Sequence, residues 1–296
     1  MTPGSRAWLQ IHICVVLWGV TAILGKLITL AALPLVWWRM LIVTIVLLVW
    51  PPFWTGIRTL PVRLMAVHFG IGALVTLHWV TFYASIKLSN ASVAATCIAL
   101  SPAFVALVEP LVARRRFNLT ELLLAVLVLP GVALVVGGTP RGMQSGIIVG
   151  VASAFVVGFF SSLNKRFIGS SPALAVTGIQ MGAGALLLPL VSLVLPVDPV
   201  LVVPGRHDTV LLMTLAIACT LVPYSLALVA LRHLSAFATT LTVNLEPVYT
   251  ILLAMALLGE QRDLTPGFYA GVVLIVTVVF AFPWLSRRLA LDVPRA

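Results

Sequence analysis

The sequence predicts an all-α integral membrane protein of ten transmembrane helices, arranged as two inverted repeats of five. Three observations support this fold class. The chain has 296 residues, of which 61% are hydrophobic and 9% are charged, whereas a soluble domain carries about 25% charged residues. Its apolar residues form ten runs of about 20 residues, the length that crosses a bilayer as a helix. Finally, the second half of the chain repeats parts of the first half.

The ten apolar runs are joined by short connections, which leave no room for a soluble domain. The longest connections are PPFWTGIRTLPVR and LPVDPVLVVPGRHD. No A-x-A cleavage site follows the first run, so we predict a retained first helix and not a signal peptide. The predicted spans are 8–28, 33–51, 64–86, 92–113, 119–138, 145–165, 173–195, 208–231, 235–258 and 264–285.

The internal repeat is clearest around two prolines. The run 87–120 aligns without a gap to the sequence 145 positions later, and this offset matches Pro102 in LSPAFVALVEP with Pro247 in LEPVYTILLAM. An odd number of spans in each half inserts the second copy upside down, which is an arrangement found in secondary transporters. We therefore predict two repeats, 1–140 and 141–296.

The net charge of +10 is explained by membrane topology. The basic residues lie in short clusters between apolar runs, and they form no basic helix or aromatic-basic surface that would predict nucleic-acid binding. Twelve Lys and Arg residues lie on the side of the N-terminus and five on the opposite side, with Arg39 inside a span. The positive-inside rule then places both termini in the cytoplasm.

Several functional classes have no signal in the sequence. It contains no Walker GxxxxGK[ST], HExxH or GxSxG motif, no Arg-rich voltage-sensor helix and no TVGYG filter. Cys14, Cys97 and Cys219 lie far apart in apolar runs without a CxxC, so we interpret them as reduced core residues. No cofactor or metal site is predicted.

Glu246 is the leading candidate for a functional side chain. A charge at the bilayer centre costs at least about 2.5–3.5 kcal/mol, and Glu246 lies in the middle of span nine. It shares one helical stripe with Thr239, Thr242 and Tyr249. The carboxylate could take a proton, bind a cationic substrate group, pair with Arg39, or form a fixed structural ion pair.

Two cations have alternative interpretations. Arg39 follows Trp37 and Trp38 and lies about six residues, or roughly 9 Å, inside span two. It either extends to the headgroups or anchors a substrate carboxylate. Lys26, near the outer end of span one, has the same two alternatives.

A polar, aromatic stripe in span three predicts one wall of a cavity. His78, Trp79 and Tyr83 lie close together on this span, and aromatic rings of this kind stack flat substrates. The alternative is a neutral histidine bonded to a neighbouring helix. Asn244 and Trp18 are further predicted substrate-binding residues.

Two patterns concern helix packing. Pro102 and Pro247 lie inside spans at equivalent places, which predicts paired hinges or paired cavity walls, or else harmless kinks. Small residues at every fourth position between 146 and 162 favour close packing within the chain over dimerisation. A monomer and a homodimer both remain open.

Five stretches of the chain are distinctive together, namely LWGVTAILGK, FYASIKLSNASVAAT, LSPAFVALVEPLVARRRFN, HLSAFATTLTVN and LEPVYTILLAMALLGEQ. They resemble the drug/metabolite transporter superfamily, in particular the EamA-type family. The stretch LEPVYTILLAMALLGEQ is the most specific, because it resembles the ninth-helix signature of that family. Where the family often has Gly-Glu at the helix end of the first half, this chain has Arg114-Arg115, which leaves Glu260 without a counterpart. We interpret Glu260 as structural.

The resemblance implies ten helices in two inverted EamA repeats, cytoplasmic termini, and alternating access around a central cavity. It also implies export of amino acids or other metabolites across a bacterial inner membrane. We therefore predict a secondary transporter with a small-molecule substrate and possible proton coupling, and not an enzyme. One alternative is a lipid flippase or scramblase in which Arg39 and Lys26 grip a phosphate. The other is an intramembrane enzyme that uses His78 and Glu246.

Overall fold

The computed structural model describes residues 2–114, 116–194 and 199–288. Within these ranges the regular structure is entirely helical. The α-helices are α1 (Pro3–Gly19), α2 (Thr21–Leu27), α3 (Ala32–Leu48), α4 (Pro51–Ile57), α5 (Val62–Leu88), α6 (Ala91–Ile98), α7 (Ser101–Ala113), α8 (Leu119–Gly138), α9 (Gln144–Ile168), α10 (Ala173–Val194), α11 (Arg206–Ala216), α12 (Val222–Ala230), α13 (Ala236–Val243), α14 (Glu246–Leu258) and α15 (Pro266–Arg288). A π-helical turn, Ile217–Leu221, joins α11 to α12.

In the described part of the chain, eight helical segments are long and apolar enough to cross a membrane, or nine if one bent pair counts as a span. The bent pair replaces predicted span 33–51. Helix α3 ends at Leu48, and α4 begins at Pro51 with its axis turned by 88°. Trp50 is extended because a residue before proline avoids the helical conformation. The predicted connection after this span is therefore partly helical.

The predicted last span, 264–285, also differs from its prediction. This span corresponds to α15. The apolar segment identified within α15, Pro266–Val278, is shorter than each of the eight membrane-length segments. The remaining eight predicted spans each coincide with one of the membrane-length helical segments.

Two spans, α6–α7 and α13–α14, are broken at equivalent places. Helix α13 begins and ends 145 positions after α6, and α14 begins and ends 145 positions after α7. The N-caps follow the same rule: the Asn90 side chain accepts from the Val93 N–H at 2.9 Å, and the Ser235 hydroxyl accepts from the Ala238 N–H at 3.0 Å. Such caps satisfy backbone donors that have no partner inside the helix. The repeated sequence therefore forms a repeated local structure.

The two broken spans also pack against each other reciprocally. Helix α6 contacts α14, and α7 contacts α13. Where they cross, Nδ2 of Asn244 donates to the carbonyl of Ala99 at 2.9 Å, and these two residues are themselves 145 positions apart. This hydrogen bond joins the two breaks directly.

The prolines predicted as hinges lie immediately after the breaks. Pro102 is the second residue of α7 and Pro247 the second residue of α14, where a helix does not need the missing N–H. In the first half, the Ser101 hydroxyl donates to the Ile98 carbonyl at 2.7 Å. The prolines therefore start new helices and do not interrupt continuous ones.

The stripe of small residues on α9 is used inside the chain. Helix α9 packs on α5, α6 and α7. A Cβ atom at Gly150 would lie 2.8 Å from the Cβ of Cys97, and one at Gly146 would lie 2.6 Å from the Cβ of Ser89. Only glycine permits this close approach of the helices.

Two carboxylates tie helix ends together where α2 and α14 terminate. Asp208 accepts from the backbone N–H and the hydroxyl of Thr29 at 3.1 and 2.6 Å. Glu260 accepts from the N–H of Ala91 and from the N–H and hydroxyl of Ser92 at 2.9, 2.9 and 2.7 Å. Glu260 thus caps the first turn of α6, a structural contact between the two halves.

Candidate functional site

A cavity of about 120 Å³ lies between helices of both halves of the chain. It is larger than the roughly 10–15 Å³ that a single water requires. Ser101 and Glu246, the first residues after the two helix breaks, both line this cavity. Six of the eight predicted substrate-binding residues line this cavity, namely Trp18, Arg39, His78, Trp79, Asn244 and Glu246.

The other two predicted substrate-binding residues lie outside the lining. Tyr83 is fully buried, and its hydroxyl accepts from Nη1 of Arg39 at 2.9 Å. Lys26 is exposed at the end of α2, and its ammonium donates to the Ser89 carbonyl at 3.4 Å. The structure therefore places Tyr83 behind the cavity wall, and it does not bring Lys26 and Arg39 into one cavity.

Arg39 is buried, with 1% of its side chain exposed, and all its hydrogen-bond partners are neutral. Besides the bond to Tyr83, Nε donates to the Thr220 hydroxyl at 2.6 Å and Nη2 to the Cys219 carbonyl at 3.3 Å. The guanidinium carbon lies 3.8 Å from the centroid of the Trp79 ring, where a cation is attracted to the ring face. Arg39 is thus held inside the bundle and does not extend to the headgroups.

Glu246 is the second buried charge in the cavity, with 8% of its side chain exposed. Within the described ranges it forms no hydrogen bond and no salt bridge within 4.0 Å, and Arg39 is near enough to attract it electrostatically. A carboxylate in this environment is costly unless something compensates its charge. Its carboxylate is therefore available to a ligand or a proton.

His78 is bonded to a neighbouring helix, as one of the two interpretations predicts. Its Nδ1 lies 2.8 Å from the Ser153 hydroxyl, and that hydroxyl donates its one hydrogen to the His78 carbonyl at 2.9 Å. The proton of the Nδ1 contact must then come from the ring, because a serine hydroxyl has a single hydrogen. His78 lines the cavity, and its Nε2 is an acceptor whenever the ring is neutral.

A hydrogen-bonded cluster of polar residues from the second half contributes Asn164 and Tyr224 to the lining. The Tyr224 hydroxyl donates to Oε1 of Gln180 and accepts from Nδ2 of Asn164 at 3.3 Å, and Nε2 of Gln180 donates to Oδ1 of Asn164 at 2.7 Å. The ring of Tyr224 lies edge-on to Trp79, with 6.0 Å between the centroids. Tyr224 was not predicted from the sequence, although it stands 145 positions after Trp79.

The chain is similar to known membrane transporters along nearly its whole length. The model of the EamA-like transporter family matches residues 6–137 and again residues 144–282. A curated relative named as an uncharacterized inner membrane transporter, YicL of Salmonella typhimurium, is 25% identical over 309 aligned residues, covering 98% of this chain and 99% of the relative.

The fold also has a counterpart among solved structures. One crystal structure superposes with a TM-score of 0.68 and 18% identity, covering 96% of this chain and 99% of the other. At this identity the likeness concerns the fold alone. The two matches to the family model together span most of the sequence. The chain therefore belongs to the EamA-like transporter family.

Proposed function

We propose that this protein is a secondary transporter that exports a small metabolite, such as an amino acid or a related compound, across the inner membrane by alternating access. The observation that carries the proposal is a single cavity that contains a buried guanidinium with neutral partners and a buried carboxylate. Buried charges are costly unless they are paired. A substrate with a carboxylate for Arg39 and a cationic group for Glu246 would compensate both.

We further propose that the chain consists of two inverted five-helix repeats, 1–140 and 141–296, with ten spans and both termini in the cytoplasm. The two separate matches to the family model support the repeats, as do the helix boundaries that recur after 145 residues. The excess of twelve basic residues over five on the side of the N-terminus supports the orientation.

In this orientation the cavity extends toward the cytoplasm. Its lining includes Asn164 near the end of α9, Leu231 just after α12 and Thr239 in the first turn of α13, all at cytoplasmic ends of proposed spans. At the opposite end, the contacts of Asp208 and Glu260 hold helix ends together. This inward-open arrangement suits an exporter, because the substrate enters from the cytoplasm.

The remaining predicted residues have roles in this scheme. His78, Trp79 and Trp18 form the wall against which the apolar part of the substrate packs. Asn244 contributes a polar amide beside Glu246. Tyr83 acts on the substrate only through Arg39.

We assign the closing motion of the transporter and its proton coupling to residues of the two broken spans. Pro102 and Pro247 are the paired hinges, with the bond between Asn244 and Ala99 as the contact between them. Proton coupling through Glu246 follows from its position as a carboxylate in the cavity. A Glu246→Gln variant that transports with the wild-type dependence on pH and on the proton gradient would remove this part of the proposal.

Neither alternative function is favoured by an observation of its own. A flippase that grips a phosphate between Lys26 and Arg39 needs these residues together, and Lys26 lies outside the cavity. For an enzyme that uses His78 and Glu246, the described part of the chain shows no hydrogen bond between these two residues that would support it.

The proposal is tested by growth rescue followed by efflux. The chain is expressed in a bacterium that is exposed to inhibitory concentrations of metabolites, including amino acids and their analogues. We expect the wild type to raise the tolerated concentration of at least one zwitterionic compound and to lower its accumulation in the cells. Glu246→Gln and Arg39→Gln should lose both effects, while Thr214→Val, an exposed position on α11, should keep them. Equal efflux by Glu246→Gln and wild type would refute the proposed site.

A further inference from the structure

The π-helical turn Ile217–Leu221 interrupts the eighth proposed span at the level of Arg39. In this turn the Val222 N–H donates to the Ile217 carbonyl, five residues earlier. The wider turn inserts one extra residue into the helix, and such insertions are frequent at functional sites. Here the altered geometry presents two oxygen atoms to the Arg39 guanidinium.

The first oxygen is the hydroxyl of Thr220. It donates to the Leu215 carbonyl at 2.6 Å, also five residues earlier, so its single hydrogen is occupied. Its lone pair then accepts from Nε of Arg39 at 2.6 Å. Because a hydroxyl has one hydrogen and two lone pairs, the π-helical turn fixes Thr220 as an acceptor for Arg39.

The second oxygen is the backbone carbonyl of Cys219. In an α-helix this carbonyl would accept from the N–H four residues later, but that residue is Pro223, which has no N–H. The carbonyl accepts from Nη2 of Arg39 at 3.3 Å. The turn and the proline together therefore form a cradle for the guanidinium.

The cradle leaves part of the guanidinium unused. Arg39 has five N–H donors, and the described residues accept from three of them, through Thr220, Tyr83 and Cys219. The bonds to Thr220 and Tyr83 and the stacking on Trp79 hold the guanidinium plane, and Arg39 lines the cavity. Two N–H donors remain, as many as a carboxylate accepts in a bidentate contact.

From this geometry we infer that the π-helical turn positions Arg39 as the carboxylate-binding group of the cavity, with Thr220 as the positioning residue. The inference rests on the proposed function, which assigns the substrate carboxylate to Arg39, and it adds the structural element that positions the guanidinium. The charge balance of the cavity favours a carboxylate over a phosphate. A carboxylate adds one negative charge to a cavity that already contains Glu246, whereas a phosphate dianion adds two, and the lining offers one guanidinium to compensate them.

The experiment measures anion-dependent stabilisation of the purified protein in detergent. Sodium benzoate is the probe, because a planar aromatic carboxylate suits a wall of Trp18 and Trp79, and benzamide is its neutral counterpart of the same shape. We expect benzoate to raise the thermal unfolding midpoint with increasing concentration, and benzamide to have no such effect. Thr220→Val should require about 10-fold more benzoate for the same shift, and Thr220→Ser should restore the wild-type response.

The matched control is Thr214→Val, because this threonine lies on the adjacent helix and its hydroxyl donates only to the Val210 carbonyl at 3.0 Å. It should respond to benzoate as the wild type does. Pro223→Ala is a second variant that does not depend on Thr220. It supplies an N–H that competes for the Cys219 carbonyl, and it should weaken the benzoate response about threefold.

The preference for benzoate over benzamide is the readout that a general loss of stability would not change. If wild type does not distinguish the two compounds, Arg39 is not a carboxylate site. If Thr220→Val and Pro223→Ala both keep the wild-type preference, the π-helical turn does not position Arg39. Binding is measured without transport, so loss of efflux with an intact preference for benzoate would contradict the transport mechanism and leave this assignment standing.

Discussion

In the broken span α6–α7 the first residue after the break is Ser101, whose hydroxyl is used by the helix itself in a bond to the Ile98 carbonyl. In the broken span α13–α14 the equivalent residue is Glu246, which forms no hydrogen bond with the described part of the chain. The boundaries of the helices on both sides of the break match to the residue at an offset of 145. The comparison teaches that the repeat supplies the geometry of the break, while a single unmatched side chain supplies the candidate chemistry.

The ends of the same two spans differ as well. Helix α7 is followed by Arg114 with φ of 54°, and α14 is followed by Gly259 with φ of 70°. The next residue in the second half is Glu260, which caps α6; its equivalent Arg115 lies outside the described residues. The second half therefore has a glycine and a glutamate after the helix, which suit this backbone and this cap, whereas the first half has two arginines at the equivalent positions.

The largest expected effect comes from moving the unmatched carboxylate. The double variant Glu246→Ser, Ser101→Glu keeps the composition of the cavity and exchanges the residues that follow the two breaks. We expect efflux of a substrate found by growth rescue to fall about 100-fold, since a hydrogen bond to a charged group contributes up to about 3 kcal/mol. Whole-cell efflux and the amount of protein in the membrane are measured together.

The single variant Ser101→Glu is the control for this exchange, because it tests whether a carboxylate is tolerated after the first break. It should reach the membrane in normal amounts. Efflux at the wild-type rate by the double variant would mean that the two halves are interchangeable at this position, which contradicts the comparison.

The next effect concerns the cap that the second half supplies to the first. Glu260→Gln replaces a carboxylate that accepts from two backbone N–H groups and one hydroxyl. An amide has one acceptor oxygen, so at least one buried donor loses its partner, and we expect a loss of about 2 kcal/mol of stability. Thermal unfolding in detergent measures this loss. Gln261→Ala, at the exposed neighbouring position, should change stability by less than about 0.5 kcal/mol; equal effects would show that the cap is unimportant.

Much of this fold was predictable because it depends on local pattern and on internal repetition. Apolar runs of membrane length predicted eight segments that have this length in the structure. The matching prolines predicted paired hinges, cavity walls or kinks within continuous spans, where the structure has equivalent helix breaks. The turn at Pro51 was missed because hydropathy does not register helix direction, although the two prolines that cause it are visible in the sequence.

The candidate site was predictable only in part. Isolated polar residues inside spans indicated Arg39, His78 and Glu246, because buried charges are rare in membranes. Thr220 and Tyr224 were not predicted. Thr220 reaches Arg39 through a π-helical turn, and no periodicity of 3.6 residues indicates such a turn.

A double-mutant cycle compares the caps of α6 and α13. The expected effects on stability are about 1 kcal/mol, the usual contribution of an N-cap side chain. Asn90 and Glu260 cap the same end of α6, whereas Ser235 caps α13. Asn90→Ala combined with Glu260→Gln should therefore deviate from additivity by at least about 0.5 kcal/mol. Ser235→Ala combined with Glu260→Gln should be additive. Unfolding midpoints of the single and double variants give both values, and additivity in the first pair would mean that the two caps act independently.

The smallest expected effect concerns Arg114, which stands in the first half where the second half has Gly259. A side chain in the left-handed region is strained by about 1 kcal/mol, and glycine relieves this strain while increasing the entropy of the unfolded chain. We expect Arg114→Gly to stabilise the protein by about 0.5 kcal/mol, and the reverse change in the other half, Gly259→Ala, to destabilise it by about 1 kcal/mol. Arg114→Ala is the matched control, because it removes the charge but retains the strained backbone. If Arg114→Ala stabilises as much as Arg114→Gly, the charge and not the φ angle distinguishes this helix end from its counterpart at Gly259.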